Sequence, residues 1–151
     1  MKITKKGEYA LKAVIALSFA YGKRTLSLRE ISEEEKLPYK FLEQIMTILK
    51  KAAIVQSLKG KQGGYSLSKS PKEMMLGEII RAVEGPLSPL GTAEEIKGRI
   101  QKDERHAGLY MALLDVRNAI AEILDRQTLA DICEKSLELA SSRSAYQMYY
   151  I

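Results

Sequence analysis

Pro38-Tyr39-Lys40-Phe41-Leu42-Glu43-Gln44-Ile45-Met46-Thr47-Ile48-Leu49-Lys50-Lys51, then Ile54-Val55, then Leu58-Lys59-Gly60-Lys61-Gln62-Gly63-Gly64-Tyr65: this run decides the fold. Its first part has Leu42, Ile45, Met46 and Leu49 at three- and four-residue steps, so it predicts a helix with one buried face. Pro38 suits the first helical position, where no hydrogen bond is lost and φ is already right. The opposite face carries Tyr39, Lys40, Glu43, Gln44 and Thr47, groups able to reach base edges or phosphates. The second part predicts two short strands, about Val55–Leu58 and Tyr65–Leu67, around a turn rich in glycine and lysine. Gly60, Gly63 and Gly64 let that tip take positive φ and come close to a ligand. A helix followed by a basic hairpin is the pattern of a winged helix-turn-helix, and it points to sequence-specific DNA binding.

The residues upstream complete the motif. Helix one is expected from about Thr4 to Tyr21, with Thr4 as N-cap and Gly22 at its end. Lys2, Lys5 and Lys6 cluster at its start, where outward backbone N–H groups also suit a phosphate; an ordinary basic N-terminus is the alternative. Helix two opens on Ser27 with Glu30 three residues later, a capping box. Glu33, Glu34 and Glu35 read as solvated. The short loop Lys36-Leu37 forces helices two and three to cross steeply. Leu76, Ile79, Ile80 and Val83 mark a fourth short helix closed by Gly85-Pro86, and Leu87 to Ala107 reads as mainly loop, with one or two helical turns within 94–100.

Charge supports the same reading. Residues 1–72 hold 15 Lys and Arg against 6 Asp and Glu, a balance of +9; residues 73–151 hold 9 against 13, a balance of −4. Concentrating the positive charge in one half suggests a surface that faces a polyanion; a solvated lysine surface is the alternative. An apolar fraction of 46% suffices for a core. One cysteine excludes an intramolecular disulfide and suggests a reducing compartment. Lys12 interrupts the apolar run Ala10 to Ala20, so a secretory signal is not expected and the chain is read as cytoplasmic. Paired carboxylates, a Cys–His arrangement, metal-ligand spacing and a phosphate loop are all missing from the sequence, which argues against an enzyme.

From Leu109 the pattern changes. Leu109, Leu113, Val116, Ile120 and Ile123 form a heptad seam, and Tyr110, Leu114 and Leu124 a second stripe. A helix apolar on two flanks must bury both, one on its own domain and one on a second subunit, so a homodimer is expected; an amphipathic helix on a monomer core is the alternative. Two recognition helices one helical turn apart would match a pseudo-palindrome. A short capped helix then runs from Thr128 to Ala140, and Ser141 to Ser144 reads as a flexible joint. Three of the eight tyrosines fall in the last six residues, so Tyr146 to Ile151 is expected to dock on something.

The expected fold is therefore mainly α with a small β-hairpin wing. A winged helix-turn-helix domain spans 1–84 and a loop region 85–107. A dimerisation helix and a short following helix span 108–140, and a tail spans 141–151. The residues expected against DNA are Lys2, Thr4, Lys5 and Tyr9, then Ser27, then Pro38, Tyr39, Lys40, Glu43 and Gln44, and on the wing Lys59, Gly60, Lys61 and Gln62.

Several segments resemble the Rrf-two family of bacterial winged-helix repressors, which includes iron–sulfur and nitric-oxide sensors. They are the opening from Met1 to Leu11, Phe41-Leu42-Glu43-Gln44, the wing Lys59 to Tyr65, Val83-Glu84-Gly85, and Ala119 to Asp125 followed by Thr128-Leu129. The resemblance implies a dimer whose third helix enters the major groove and whose wing enters the minor groove. Glu43 and Gln44 would then face bases, and Tyr39 and Lys40 the backbone or groove wall. Lys59 stands where the family often has arginine, and Phe41 where tyrosine is common. Cluster-binding members carry three cysteines before the dimer helix; here Leu87 to Ala107 has none, so no iron–sulfur cluster and no other cofactor is expected. His106 reads as a surface histidine. Val83 to Pro89 and Tyr146 to Ile151 further resemble the family's cluster-less repressors of cysteine metabolism. That resemblance implies cysteine synthase as a partner, engaged through Tyr149, Tyr150 and the Ile151 carboxylate; packing of the tyrosines on the dimer is the alternative. A module regulating a metabolic enzyme, or a thiol redox sensor using Cys133, are the competing functions.

Overall fold

Thr4 opens α1 (Lys5–Ala20): its hydroxyl accepts from the Gly7 N–H at 3.2 Å. The computed structural model describes residues 2–88 and 90–150, the stretch 145–150 by backbone alone. Ser27 caps α2 (Leu28–Glu35) by accepting from the Glu30 N–H at 3.1 Å. Only half of the expected capping box forms, because the Glu30 carboxylate accepts from Arg24 at 2.6 Å rather than returning to the Ser27 amide. Lys36 then turns the chain at φ 54 and ψ 47. A left-handed non-glycine residue costs about 1 kcal/mol. The turn is held by the Leu37 N–H donating to the Ser32 carbonyl, by the Ser32 hydroxyl donating to the Leu37 carbonyl at 2.6 Å, and by burial of Leu37.

Helix α3 runs Tyr39–Lys51. Pro38 precedes it as the cap residue (φ −61, ψ 123), one position before the place expected for it. β1 (Val55–Leu58) and β2 (Gly64–Leu67) pair antiparallel, with Val55 opposite Leu67 and Leu58 opposite Gly64. Leu26 adds a bridge on the other edge of β2 that the sequence reading lacked, exchanging two backbone bonds with Tyr65 at 3.0 and 2.7 Å. A tight turn at Pro71–Glu73 leads to α4 (Leu76–Glu84), which Gly85 ends at φ 85.

The second half departs from expectation in two places. Where mainly loop with one or two helical turns within 94–100 was expected beyond Leu87, a full helix α5 (Ala93–Lys102) forms, followed by a helical turn at Glu104–His106. Thr92 and Glu95 cap α5 reciprocally, at 2.7 and 3.3 Å. α6 (Ala107–Leu124) pairs with α5. α7 (Leu129–Tyr150) then runs straight through Ser141 to Ser144, so the expected joint is helix instead. Ile151 lies outside the described residues.

The core sits between α1, α3 and α4. Ala10, Ala13 and Leu17 of α1 meet Leu42, Ile45 and Leu49 of α3 and Ile79 of α4, all buried. The small α1 residues allow the helices to approach closely. A smaller cluster of Ile80, Leu87 and Ala121 joins this domain to α6. Arg81 donates to both oxygens of Asp125 at 2.7 Å, and the Leu76 and Leu129 amides donate to Gln127 and Met74 carbonyls. The turn between α6 and α7 is thereby pinned to the start of α4.

Candidate nucleic-acid interface

Burial on one side of α3 forces its other side outward. Leu42, Ile45, Met46 and Leu49 have no exposed surface, and Tyr39, Lys40, Glu43, Gln44 and Thr47 are exposed. The side chains expected to read bases therefore point away from the interior. Thr47 is less available than its exposure suggests, because its hydroxyl donates to the Glu43 carbonyl one turn back at 3.0 Å. Lys50 bonds the Ser57 hydroxyl at 2.8 Å and so ties the end of α3 to β1.

The wing is anchored at its base and tip. Thr25 donates to the Gln62 carbonyl at 2.9 Å, and the Gly63 N–H closes the turn onto the Gly60 carbonyl at 3.0 Å. A Cβ at Gly64 would collide with the Leu26 backbone, so glycine is needed there for the Leu26–Tyr65 bridge to form. Lys59, Gly60, Lys61 and Gln62 are exposed at the tip. Arg24, at the wing's root, is already paired with Glu30 and Glu34.

The N-terminal group is partly engaged within the protein. Lys2, Thr4 and Lys5 are exposed, and Tyr9 is half-buried with its ring edge-on to Phe41 (5.6 Å, 80°). Lys12 and Lys5 flank Glu8 at 3.2 and 3.3 Å and hold its carboxyl below the usual range. The N–H of the cap residue Thr4 donates to Glu84 at 2.8 Å. Ser27 is half-buried and engaged as a cap. Of the acidic run, Glu33 and Glu34 are exposed, whereas Glu35 is half-buried and burial, with Glu34 beside it, pushes its carboxyl up.

The arm presents a different surface. Leu109, Val116 and Ile123 are 55%, 56% and 61% exposed, and Leu113 and Ile120 half-buried. Leu124 and Ile120 pack toward the small cluster against α4. So one flank of α6 lies on its own domain and the other is bare in the single chain.

The donor set does not fit an iron–sulfur cluster, which needs several thiolates. Cys133 is the sole cysteine, half-buried on α7 beside Ser18, and burial pushes its thiol up, away from the reactive thiolate. His106 is exposed and bonded to Asp103 at 2.9 Å. Among the described residues no helix is long and apolar enough to cross a membrane.

Comparison with known proteins agrees with this geometry. The Rrf2 family model, described as an iron-dependent transcriptional regulator, matches residues 3–135. The chain is 34% identical over 149 residues to the HTH-type transcriptional regulator CymR of Bacillus subtilis, covering 99% of each. It is 29% identical over 140 residues to the regulator IscR of Cereibacter sphaeroides, covering 91% of this chain and 90% of that one. The structure of B. subtilis CymR, described as that organism's global cysteine regulator, superposes with a TM-score of 0.74 at 35% identity, covering 89% of this chain and 98% of CymR. The oxidised form of Staphylococcus aureus CymR gives 0.70 at 31%, covering 89% and 97%. With helix, hairpin and arm matched in order over nearly its whole length, the chain belongs to the Rrf2 family of winged-helix transcriptional regulators.

Proposed function

We propose that this protein is a dimeric, sequence-specific repressor of cysteine and sulfur metabolism genes that works in the cytoplasm without an iron–sulfur cluster and has no enzymatic activity. The observation that carries it is α3: four apolar residues fully buried on one side, with Tyr39, Lys40, Glu43 and Gln44 exposed on the other. In this reading Glu43 and Gln44 meet base edges, where a glutamine amide can pair bidentately with adenine. Tyr39, Lys40, Lys2 and Lys5 meet the phosphate backbone, which sets register without reading sequence. Lys59 and Lys61 bring the wing to the minor groove. The cysteine role is supported by likeness to CymR over 99% of both chains. The dimer is supported by the bare flank of α6, where each large apolar side chain is worth roughly 1.5–3 kcal/mol once covered.

The test selects a duplex from a random pool with the purified chain, then measures affinity against salt. A repressor of this kind prefers one pseudo-palindromic duplex and loses affinity steeply as salt rises. Equal affinity for selected and shuffled duplexes would defeat the reading. In the same proposal cysteine synthase is a co-repressor held through Tyr149, Tyr150 and Ile151. Deleting those three residues should abolish its capture and leave the dimer intact; loss of the dimer would assign the tail to packing instead.

A further inference from the structure

Glu84 is the last residue of α4, where the helix dipole disfavours a carboxylate. Its Oε1 accepts from both the Thr4 N–H at 2.8 Å and the Thr4 hydroxyl at 2.7 Å, across eighty positions of sequence. There it lies at the positive start of α1, where the dipole favours it. Gly7 makes the seat. It is buried in the first turn of α1, and a Cβ at this position would overlap the Glu84 carboxylate. Glycine within a helix is less favourable than alanine, so its presence here needs a reason, and room for Glu84 supplies one.

Lys2 and Lys5 stand within two residues of Thr4, Lys5 lies over the Tyr9 ring, and Tyr9 in turn rests on Phe41 of α3. Resting on the DNA-binding reading above, we propose that Glu84 is a positioning residue for DNA recognition: seated in the notch at Gly7, it sets the first turn of α1 relative to α3. Backbone contacts fix the register of a protein on its duplex. Loosening them costs the complex that has a register more than the complex that has none. Glu84→Ala therefore lowers the preference for the selected duplex. Glu84→Gln keeps the acceptor for Thr4 and removes one negative charge, so it raises affinity for selected and shuffled DNA together and preserves their ratio. Gly7→Ala expels the carboxylate from the other side and behaves as Glu84→Ala does.

Two measurements on the full chain test this. In the free protein, the Thr4 amide, which donates to Glu84, should exchange its proton with solvent more slowly in the natural chain and in Glu84→Gln than in Glu84→Ala. In binding, the ratio of affinities for the selected and a shuffled duplex should fall about tenfold in Glu84→Ala and Gly7→Ala, the equivalent of ~1.4 kcal/mol, with Glu84→Gln within about threefold of the natural chain. A Thr4 amide that exchanges no faster in Glu84→Ala overturns the inference without touching the DNA reading. So does an unchanged ratio in both Glu84→Ala and Gly7→Ala, or a Glu84→Gln as impaired as Glu84→Ala. A natural chain that prefers no duplex overturns the DNA reading and this inference together.

Discussion

Helices α3 and α6 carry apolar residues at the same three- and four-residue steps, yet they end in opposite circumstances. Leu42, Ile45, Met46 and Leu49 are fully enclosed by α1 and α4, whereas Leu109, Val116 and Ile123 are more than half exposed. The pattern that makes a helix amphipathic says that a face must be covered, and says nothing about which chain covers it. Short connections fold α3 back against α1 within the same chain. α6 instead has its second flank left over after α5 and the Ile80 cluster have covered the first. The first half of this molecule covers its own apolar faces, and the second leaves one uncovered in the single chain.

The sharpest way to break that contrast is a charge on the bare flank. Val116→Asp should convert the proposed dimer to monomer, read as a halved mass by light scattering. It should leave the helical signal of the isolated chain intact, since Val116 touches no core. A matching truncation in the enclosed helix should do the reverse: Leu42→Ala should cost about 3 kcal/mol of unfolding free energy through the cavity it leaves. Urea denaturation of the Val116→Asp monomer background would separate that loss from dimer dissociation. On the outer face of α3, Gln44→Ala should spare stability and cost about 1–3 kcal/mol of discrimination at one base position. A uniform loss across all duplexes would move Gln44 from reading to mere contact.

The smallest expected effect tests the joint between the two halves. Arg81 holds the Asp125 carboxyl below its usual range through two 2.7 Å bonds. A depressed carboxylate contributes stability above its unfolded pKa and loses it as pH falls through its folded one. Asp125→Asn should therefore unfold more easily than the natural chain at pH 7, by under ~1 kcal/mol because the pair is partly exposed. The difference should vanish in strong acid. A gap that persists undiminished there would assign the loss to packing against Gly77, where a Cβ would meet the Asp125 carboxylate.

What the sequence made legible follows from range. α1, α3, α4 and the hairpin are written in local periodicity and turn chemistry, and they lie where the spacing of Leu42 to Leu49 and the glycines of the wing put them. α5 was read as no more than one or two turns because only Ile96 is buried in it, too little for a period. Its signal was Thr92-Ala93-Glu94-Glu95, a capping box that forms in full. Ser141, Ser142 and Ser144 suggested a joint, but serine is only a mediocre helix former and does not stop a helix as Gly or Pro would. The Leu26 bridge and the seat of Glu84 on Thr4 could not be read at all. Each joins residues tens of positions apart, and neither leaves any repeat in the chain.

The bridge at Leu26 bears on how such a protein changes over time. Its two bonds to Tyr65 fix the far strand of the hairpin to the loop that opens α2. Extra residues between Lys59 and Gln62 would lengthen the tip and disturb no rung. An extra residue between Val55 and Gln56 would take Val55 out of register with Leu67 and turn that buried side chain to water. Descendants of this chain are thus free to retune how deeply the finger probes its target, while the knuckle it bends from stays locked in place.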